Sequence, residues 1–247
     1  TCLAVLKALA NLGGRASLTA IGAAVDESPA KVHRYLASLM AEGLVEQDRG
    51  GTQYALGSEA IRVGLAAMRQ CDPIRVAEPA LIYLREALQV TSFVAVMGNM
   101  GPVIVRFEEP SLPVTVNVRV GSVMSMLWSA TGRAFLAFMD SSPQVESLVQ
   151  QELAQASPSR RVQLSGKKPL EQLRTEVRAA GCASIRDTNL PGISAVAAPL
   201  YDYTGHVVAV LCALGASGGF DPDPQGAVAQ ALCAEARTVS ASLGFRV

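Results

Sequence analysis

Apolar residues recur at helical spacing through the N-terminal part of the chain. Leu3, Val5, Leu6 and Leu9 predict a helix over residues 3–12, ended by Gly13 and Gly14. Ser17 is placed to cap a short second helix whose Leu18, Ile21 and Val25 turn inward. A sharp turn follows at Asp26 and Glu27. Ser28 then suits an N-cap, and Pro29 suits the first helical position, where a missing N–H costs nothing. Val32, Leu36, Leu39 and Met40 form the apolar stripe of this third helix, and Gly43 stops it. Two strand-like runs come next, residues 44–48 and 52–56, joined by Arg49, Gly50 and Gly51 in a tight hairpin. Helix, helix, turn, helix, hairpin is the order of a winged helix-turn-helix.

A further helix over residues 58–70 reads as a linker, broken at Cys71-Asp72-Pro73. Beyond it the pattern alternates between helical and strand periods. Helices are predicted at 73–89, 129–139 (capped by Ser129), 143–155, 170–180 and 224–243. Strands are predicted at 92–97, 103–109, 114–120, 194–201 and 206–214, with hairpin turns at 98–101 and 202–205. Residues 157–169 read as a polar loop. Hairpins alternating with helices predict an α/β domain of α+β type on a mainly antiparallel sheet. The organisation is thus a DNA-binding domain over 1–57, a linker helix over 58–72 and a second domain over 73–247.

Composition narrows the class. Half of the 247 residues are hydrophobic and 17% are charged, which fits a globular chain with ample core. Net charge is zero, and residues 1–57 are themselves balanced. Lys7, Arg15, Lys31, Arg34 and Arg49 stand against Asp26, Glu27, Glu42, Glu46 and Asp48. Nucleic-acid binding would then rest on a few well-placed cations and on more than one copy of the domain. The five cysteines form no C-x-x-C pair, which argues against a disulfide framework or zinc site and for a reducing, cytoplasmic setting. No cofactor is implied. The longest apolar stretch, 207–214, falls far short of the ~20 residues that span a bilayer, so no membrane partner is expected. The chain opens inside a helical pattern with neither an initiator Met nor a signal peptide, which predicts residues ahead of Thr1.

The candidate chemistry lies first on the third helix. Lys31, Arg34 and Ser38 fall at i, i+3 and i+7 and so share a face away from the core stripe. The N-terminal end of such a helix enters the major groove, where Lys or Arg reaches guanine or phosphate. Candidate DNA contacts are Ser28, Lys31, Val32, His33, Arg34, Tyr35 and Ser38, with Arg49 at the wing tip. The competing reading is a solvated amphipathic helix. The second candidate is the start of the helix after Ser129. Its first amides, those of Ala130 and Thr131, sit among small residues and can seat a carboxylate; a closely packed helix start is the alternative.

Three segments carry a family resemblance. "SLTAIGAAVDESPAKVHRYLASLMAEGLVEQDRGGTQYALG" resembles the DNA-binding domain of IclR-type transcription regulators. "VGSVMSMLWSATGRAFLAF" and "EVRAAGCASIRDTNLPGISAVAAPLYDYTGHVVAVLCALG" are similar to the segments around that family's effector pocket. The resemblance spans nearly the whole chain. It implies a GAF-like effector-binding domain, a homodimer or homotetramer, double-stranded operator DNA as partner, and a small-molecule effector such as an organic or aromatic acid. By the same resemblance the pocket positions are Ala130, Thr131, Ile185, Ile193 and Ala195, with Met126, Trp128 and Asp187 as further candidates beside Met124. A member that binds small oxo acids has Asp and Cys where this chain has Ile185 and Ala195, which points to a larger or more apolar effector. Met126 and Trp128 also fit a plain sheet core, and Asp187 a loop cap.

Two other classes compete. An enzyme would have His33 and His206 as its imidazole bases, one on the recognition helix and one beside a turn. No G-x-S-x-G, H-E-x-x-H, P-loop or GxGxxG stands in workable context, and Asp221 and Asp223 look like turn residues, so no catalytic residue is assigned. A ligand-free DNA-binding or protein-interaction module is the remaining alternative. Repression and activation, and dimer and tetramer, stay open at this point.

Overall fold

The structure is a computed structural model that describes residues 1–48, 51–111, 118–164 and 167–246. It divides into two compact units, Thr1–Cys71 and Asp72–Val247. In the first, α1 (Cys2–Asn11), α2 (Leu18–Val25) and α3 (Pro29–Ala41) pack around Val5, Leu9, Ile21, Val32, Leu36 and Leu39. The turn between α2 and α3 is made by Asp26, which takes a left-handed conformation at φ 53, and by the Glu27 amide donating to the Gly22 carbonyl. A left-handed residue there ends α2 in one step and lets Pro29 start α3 almost at once.

The wing has one more strand than the sequence predicts. β1 (Arg15–Ser17) pairs antiparallel with β3 (Gln53–Leu56), and β3 pairs with β2 (Val45–Gln47). Three residues are too few to show a period of two, which is why β1 escapes the pattern. Gly57 closes the wing: a Cβ there would lie 2.3 Å from the Gly43 carbonyl oxygen, so only glycine fits. Next comes α4 (Ser58–Met68), none of whose residues is buried.

The second unit is built on a five-stranded antiparallel sheet in the order β5-β4-β8-β7-β6. Its strands are β4 (Thr91–Gly98), β5 (Gly101–Glu108), β6 (Ala183–Arg186), β7 (Ile193–Tyr201) and β8 (Val207–Ala216). Alternate side chains serve opposite faces. Val94, Val196, Ala198, Leu200, Ala209, Leu211 and Ala213 join α5 (Pro73–Leu88) and α10 (Ala227–Ser242) in one core. Phe93, Ala95, Ala195, Ala197, Val210, Cys212 and Leu214 join α6 (Ala130–Phe138), α7 (Pro143–Gln155) and α9 (Pro169–Ala180) in the other.

The sequence reading needs amendment at three places here. The predicted polar loop 157–169 contains a one-and-a-half-turn helix, α8 (Pro158–Gln163), capped by Ser157. Strand β6 was not predicted. The strand predicted at 114–120 falls mostly outside the described residues, and Val118–Val120 are not extended into a strand. No helix among the described residues is long and apolar enough to cross a membrane.

Candidate DNA-facing helix and effector cavity

On α3 the structure separates the predicted contacts into three groups. His33, Arg34 and Ser38 are exposed on one side, with the Ser38 hydroxyl donating to the Arg34 carbonyl at 3.2 Å. Ser28 is exposed and makes no side-chain cap bond, so its hydroxyl faces outward at the head of the helix. Lys31 is half-buried and ion-paired with Glu27 at 2.6 Å. That hydrogen bond holds the Glu27 carboxyl below its ordinary range and the Lys31 ammonium above its own. Glu27 therefore screens the cation best placed for a groove. Tyr35 is half-buried against the core, its carbonyl accepting from the Cys2 thiol.

Val32 must be withdrawn from the DNA-facing set. It is fully buried in the core of the first unit, one position around the helix from the exposed face, and cannot reach a groove without unfolding α3. Arg49 lies outside the described residues. Beside it, Asp48 is bound by Arg15 at 2.6 Å, which ties the wing to β1.

In the second unit, a small cavity opens over the start of α6. Ser129, Ala130 and Thr131 form its floor, Phe93, Ala195, Cys212 and Leu214 its sheet wall, and Met124, Ile185, Leu190 and Ile193 its apolar rim. The space inside is about 20 Å³ for the centre of a water-sized sphere, enough for little more than one water. The Ser129 hydroxyl accepts from the Gly132 amide at 2.9 Å and donates to the Ser125 carbonyl at 2.5 Å. The amides of Ala130 and Thr131, by contrast, have no acceptor among the described residues. The Thr131 hydroxyl is buried without a hydrogen-bond partner. Its polar neighbour is the Cys212 thiol, which burial pushes up to about 12 against the opposing pull of Thr131. Two amides and a hydroxyl left unsatisfied in an apolar enclosure are costly unless something accepts from them.

This floor is held from beneath by Glu152 of α7. Its carboxylate accepts from the Ser125 hydroxyl at 2.6 Å, the Met126 amide at 2.7 Å and the Leu127 amide at 3.0 Å. Residues 125–128 thus form an irregular turn, not the strand that alternating Met124, Met126 and Trp128 suggest. Glu152→Gln removes a charged acceptor from three donors and is expected to cost roughly 2–3 kcal/mol, read as a lowered urea midpoint. An unchanged midpoint would mean the turn is held by packing alone.

Of the eight predicted effector residues, Ala130, Thr131, Ile185, Ile193 and Ala195 line the cavity together. The other three do not. Met126 is fully enclosed in the core, packed away from the opening. Trp128 is buried behind it, with the Arg160 guanidinium 5.5 Å from its ring centre. Asp187, left-handed at φ 54, spends its carboxylate on the Gly192 amide and the Ser217 hydroxyl, both at 2.7 Å, and so caps the loop at the cavity mouth. Phe93, Val118, Asn189, Leu190, Cys212 and Leu214 were missed; Phe93, Cys212 and Leu214 lie on strands that only the sheet order brings to the head of α6. Neither histidine lines the cavity: His33 is exposed on α3 of the first unit, and His206 stands in the β7–β8 turn, 3.4 Å from Asp140.

A family model described as the IclR helix-turn-helix domain matches residues 2–49, and one described as the bacterial transcriptional regulator IclR C-terminal domain matches residues 65–241. The crystal structure of HmgR from Pseudomonas aeruginosa superposes with a TM-score of 0.88 at 38% identity, covering 99% of this chain and 96% of that one. The transcriptional repressor AllR of Klebsiella pneumoniae is 25% identical over 244 residues, 99% of this chain and 89% of its own. The transcriptional regulator BhcR of Paracoccus denitrificans is 25% identical over 93% of this chain and 81% of its own. The chain belongs to the IclR family of bacterial transcriptional regulators, with a DNA-binding helix-turn-helix domain and the family's C-terminal domain, and it is a regulator, not an enzyme.

Proposed function

We propose that this chain is a metabolite-gated DNA-binding regulator whose effector is a carboxylic acid with an apolar, larger-than-acetate body. One observation carries the reading: the free Ala130 and Thr131 amides and the unpartnered Thr131 hydroxyl converge on an apolar cavity. A carboxylate accepts from all three at a helix N-terminus, while Phe93, Ile185, Ile193 and Leu214 cover the rest of the molecule. A cavity this small must widen on binding, and Val118, Met124, Asn189 and Leu190 are wall residues outside helix and strand that can give way. Binding energy spent on that widening is what couples occupancy to shape.

Reading of DNA is assigned to Ser28, Lys31, His33, Arg34 and Ser38 on α3, with Tyr35 and Arg49 beside them. The domains are proposed as 1–57, a linker over 58–72, and 73–247. Association of copies is assigned to α4, whose Ile61, Leu65 and Met68 fall at i, i+4 and i+7 and are all exposed, an apolar helix face that pairing would cover. Two neutral DNA-binding domains held together supply what one lacks in charge, and the effector changes the spacing between them.

A panel of aliphatic and aromatic acids, each beside its neutral amide, tests the reading by thermal shift. Acids are expected to raise the midpoint and amides to leave it unchanged. Thr131→Val should abolish that response while stabilising the ligand-free protein by up to about 1 kcal/mol, since it removes a buried, unsatisfied hydroxyl at equal volume. If Thr131→Val keeps the full acid response, the carboxylate seat is wrong. If no acid or amide shifts the midpoint, the ligand-free module gains.

A further inference from the structure

Asn189 and Leu190 of the cavity wall sit at the tip of the loop between β6 and β7. The base of this loop is closed by short-range bonds and by the start of the segment after β8. The Asp187 amide donates to the Ile193 carbonyl at 3.1 Å, and the Ser217 amide to the Gly192 carbonyl at 2.8 Å. The tip has a single tie beyond the loop. Among the described residues, one hydrogen bond joins Thr188, Asn189 or Leu190 to anything outside residues 186–193: Arg160 Nη2 donates to the Asn189 carbonyl at 3.2 Å. The same guanidinium stands 5.5 Å from the centre of the Trp128 ring, within reach of a cation–π contact. Trp128 directly precedes the Ser129 cap of α6.

Arg160 works from a fixed post. Its neighbour Arg161 donates from Nε to the Ala156 carbonyl and from Nη2 to the Ala154 carbonyl, both at 3.0 Å, which fastens α8 to the end of α7. The same α7 carries Glu152, whose carboxylate holds the turn leading to Trp128. One end of the Arg160 contact is therefore the floor of the cavity and the other is a part of its wall that can yield. We propose that Arg160 is a positioning residue for the effector site: a latch that keeps the cavity contracted by gripping the Asn189 carbonyl while it lies over Trp128, and that lets go when a carboxylic acid enters. The inference rests on the carboxylate reading given above.

The contracted cavity has room for little more than a water, so an acid must push Asn189 and Leu190 outward. That movement breaks the bond to Arg160. While the latch holds, only the widened fraction of molecules accepts the acid, and the apparent affinity is lowered by that fraction. Weakening the latch enlarges the fraction and tightens binding. Damage to a residue that merely supports the fold does the opposite, so the sign of the effect separates the two roles.

The test uses the full chain, with hexanoate and phenylacetate as probes. Arg160→Met keeps an apolar stem beside the ring and removes both the charge and the donor. It is expected to bind the acids roughly five- to thirtyfold more tightly than the parent, read by calorimetry. Arg160→Lys should fall between, since an ammonium serves the ring or the carbonyl but not both in the same geometry. Trp128 is the single tryptophan of the chain, so its emission reports the latch directly. Acid should change that emission in the parent and far less in Arg160→Met. Without any acid, amide hydrogen exchange over residues 187–193 should be faster in Arg160→Met than in the parent. Equal or weaker binding by Arg160→Met, with the parent binding normally, overturns the latch alone, and so does unchanged exchange in the loop. A parent that binds neither acid strikes the carboxylate reading, and the latch as a gate for acids with it.

Discussion

Replacing Gly132 by alanine is expected to destabilise the second unit by roughly 3–5 kcal/mol. A Cβ at this position would stand 2.1 Å from the Ser125 carbonyl oxygen and 2.4 Å from the Met126 Cα. Both are backbone atoms, and Glu152 pins the turn that contains them, so neither side yields cheaply. The floor of the cavity would have to lift away from residues 125–128, moving the Ala130 and Thr131 amides with it. Thermal unfolding should show one transition lowered by about 10 °C, at the usual 2–4 °C per kcal/mol for a unit of this size. Gly64→Ala is the control. It is also helical, but its added Cβ meets nothing within 4 Å, so it should be neutral or stabilise by up to ~1 kcal/mol. Equal effects of the two substitutions would show that the contact at Gly132 is relieved by small shifts.

Lys31→Ala combined with Arg34→Ala should lower affinity for a duplex selected from a random library by about a hundredfold or more. Each cation that reaches a base edge or phosphate is worth ~1–3 kcal/mol, and the two leave no other pair of cations on that helix. The dependence of affinity on salt should flatten by about two ions per DNA-binding domain. Glu27→Gln provides the opposite arm. It removes the carboxylate 2.6 Å from Lys31, and it should raise affinity several-fold and steepen the salt dependence. Gel-shift or fluorescence-anisotropy titrations at several salt concentrations read all three. If the double variant binds as the parent does, the recognition face has been placed on the wrong side of α3.

The parts of this protein that were legible in its sequence share one property: their signal is local. α1, α3, α5 and α9 repeat apolar residues every three or four positions, while β4, β7 and β8 are short, nearly unbroken apolar runs bounded by turn residues, buried on both faces of the sheet. The head of α6 was readable because Ser129 followed by small residues is a local mark of a cap. What escaped was either too short for a period, as with β1, β6 and α8, or made by assembly. Nothing in the sequence around Glu152 says that it holds a turn more than twenty positions earlier. Cys212 and Phe93 meet the α6 terminus only because β8 lies between β4 and β7. Val32 shows the converse hazard. Its neighbours Lys31 and His33 are accessible, yet a rotation of one residue about the helix carries a side chain from the solvent face to the core.

The division of labour between the two faces of the β7 strand bears on how such a regulator changes its diet. Ala195 and Ala197 face the cavity-side core, while Val196, Ala198 and Leu200 face the other. Small residues on the ligand side leave the depth of the binding site to be set by whatever replaces a methyl group. Because neighbouring positions pack into separate cores, a change at Ala195 is buffered from the framework that α5 and α10 hold together. On the proposed reading, a lineage can exchange one effector for another through single substitutions on this strand, without first having to repair the scaffold on the other face.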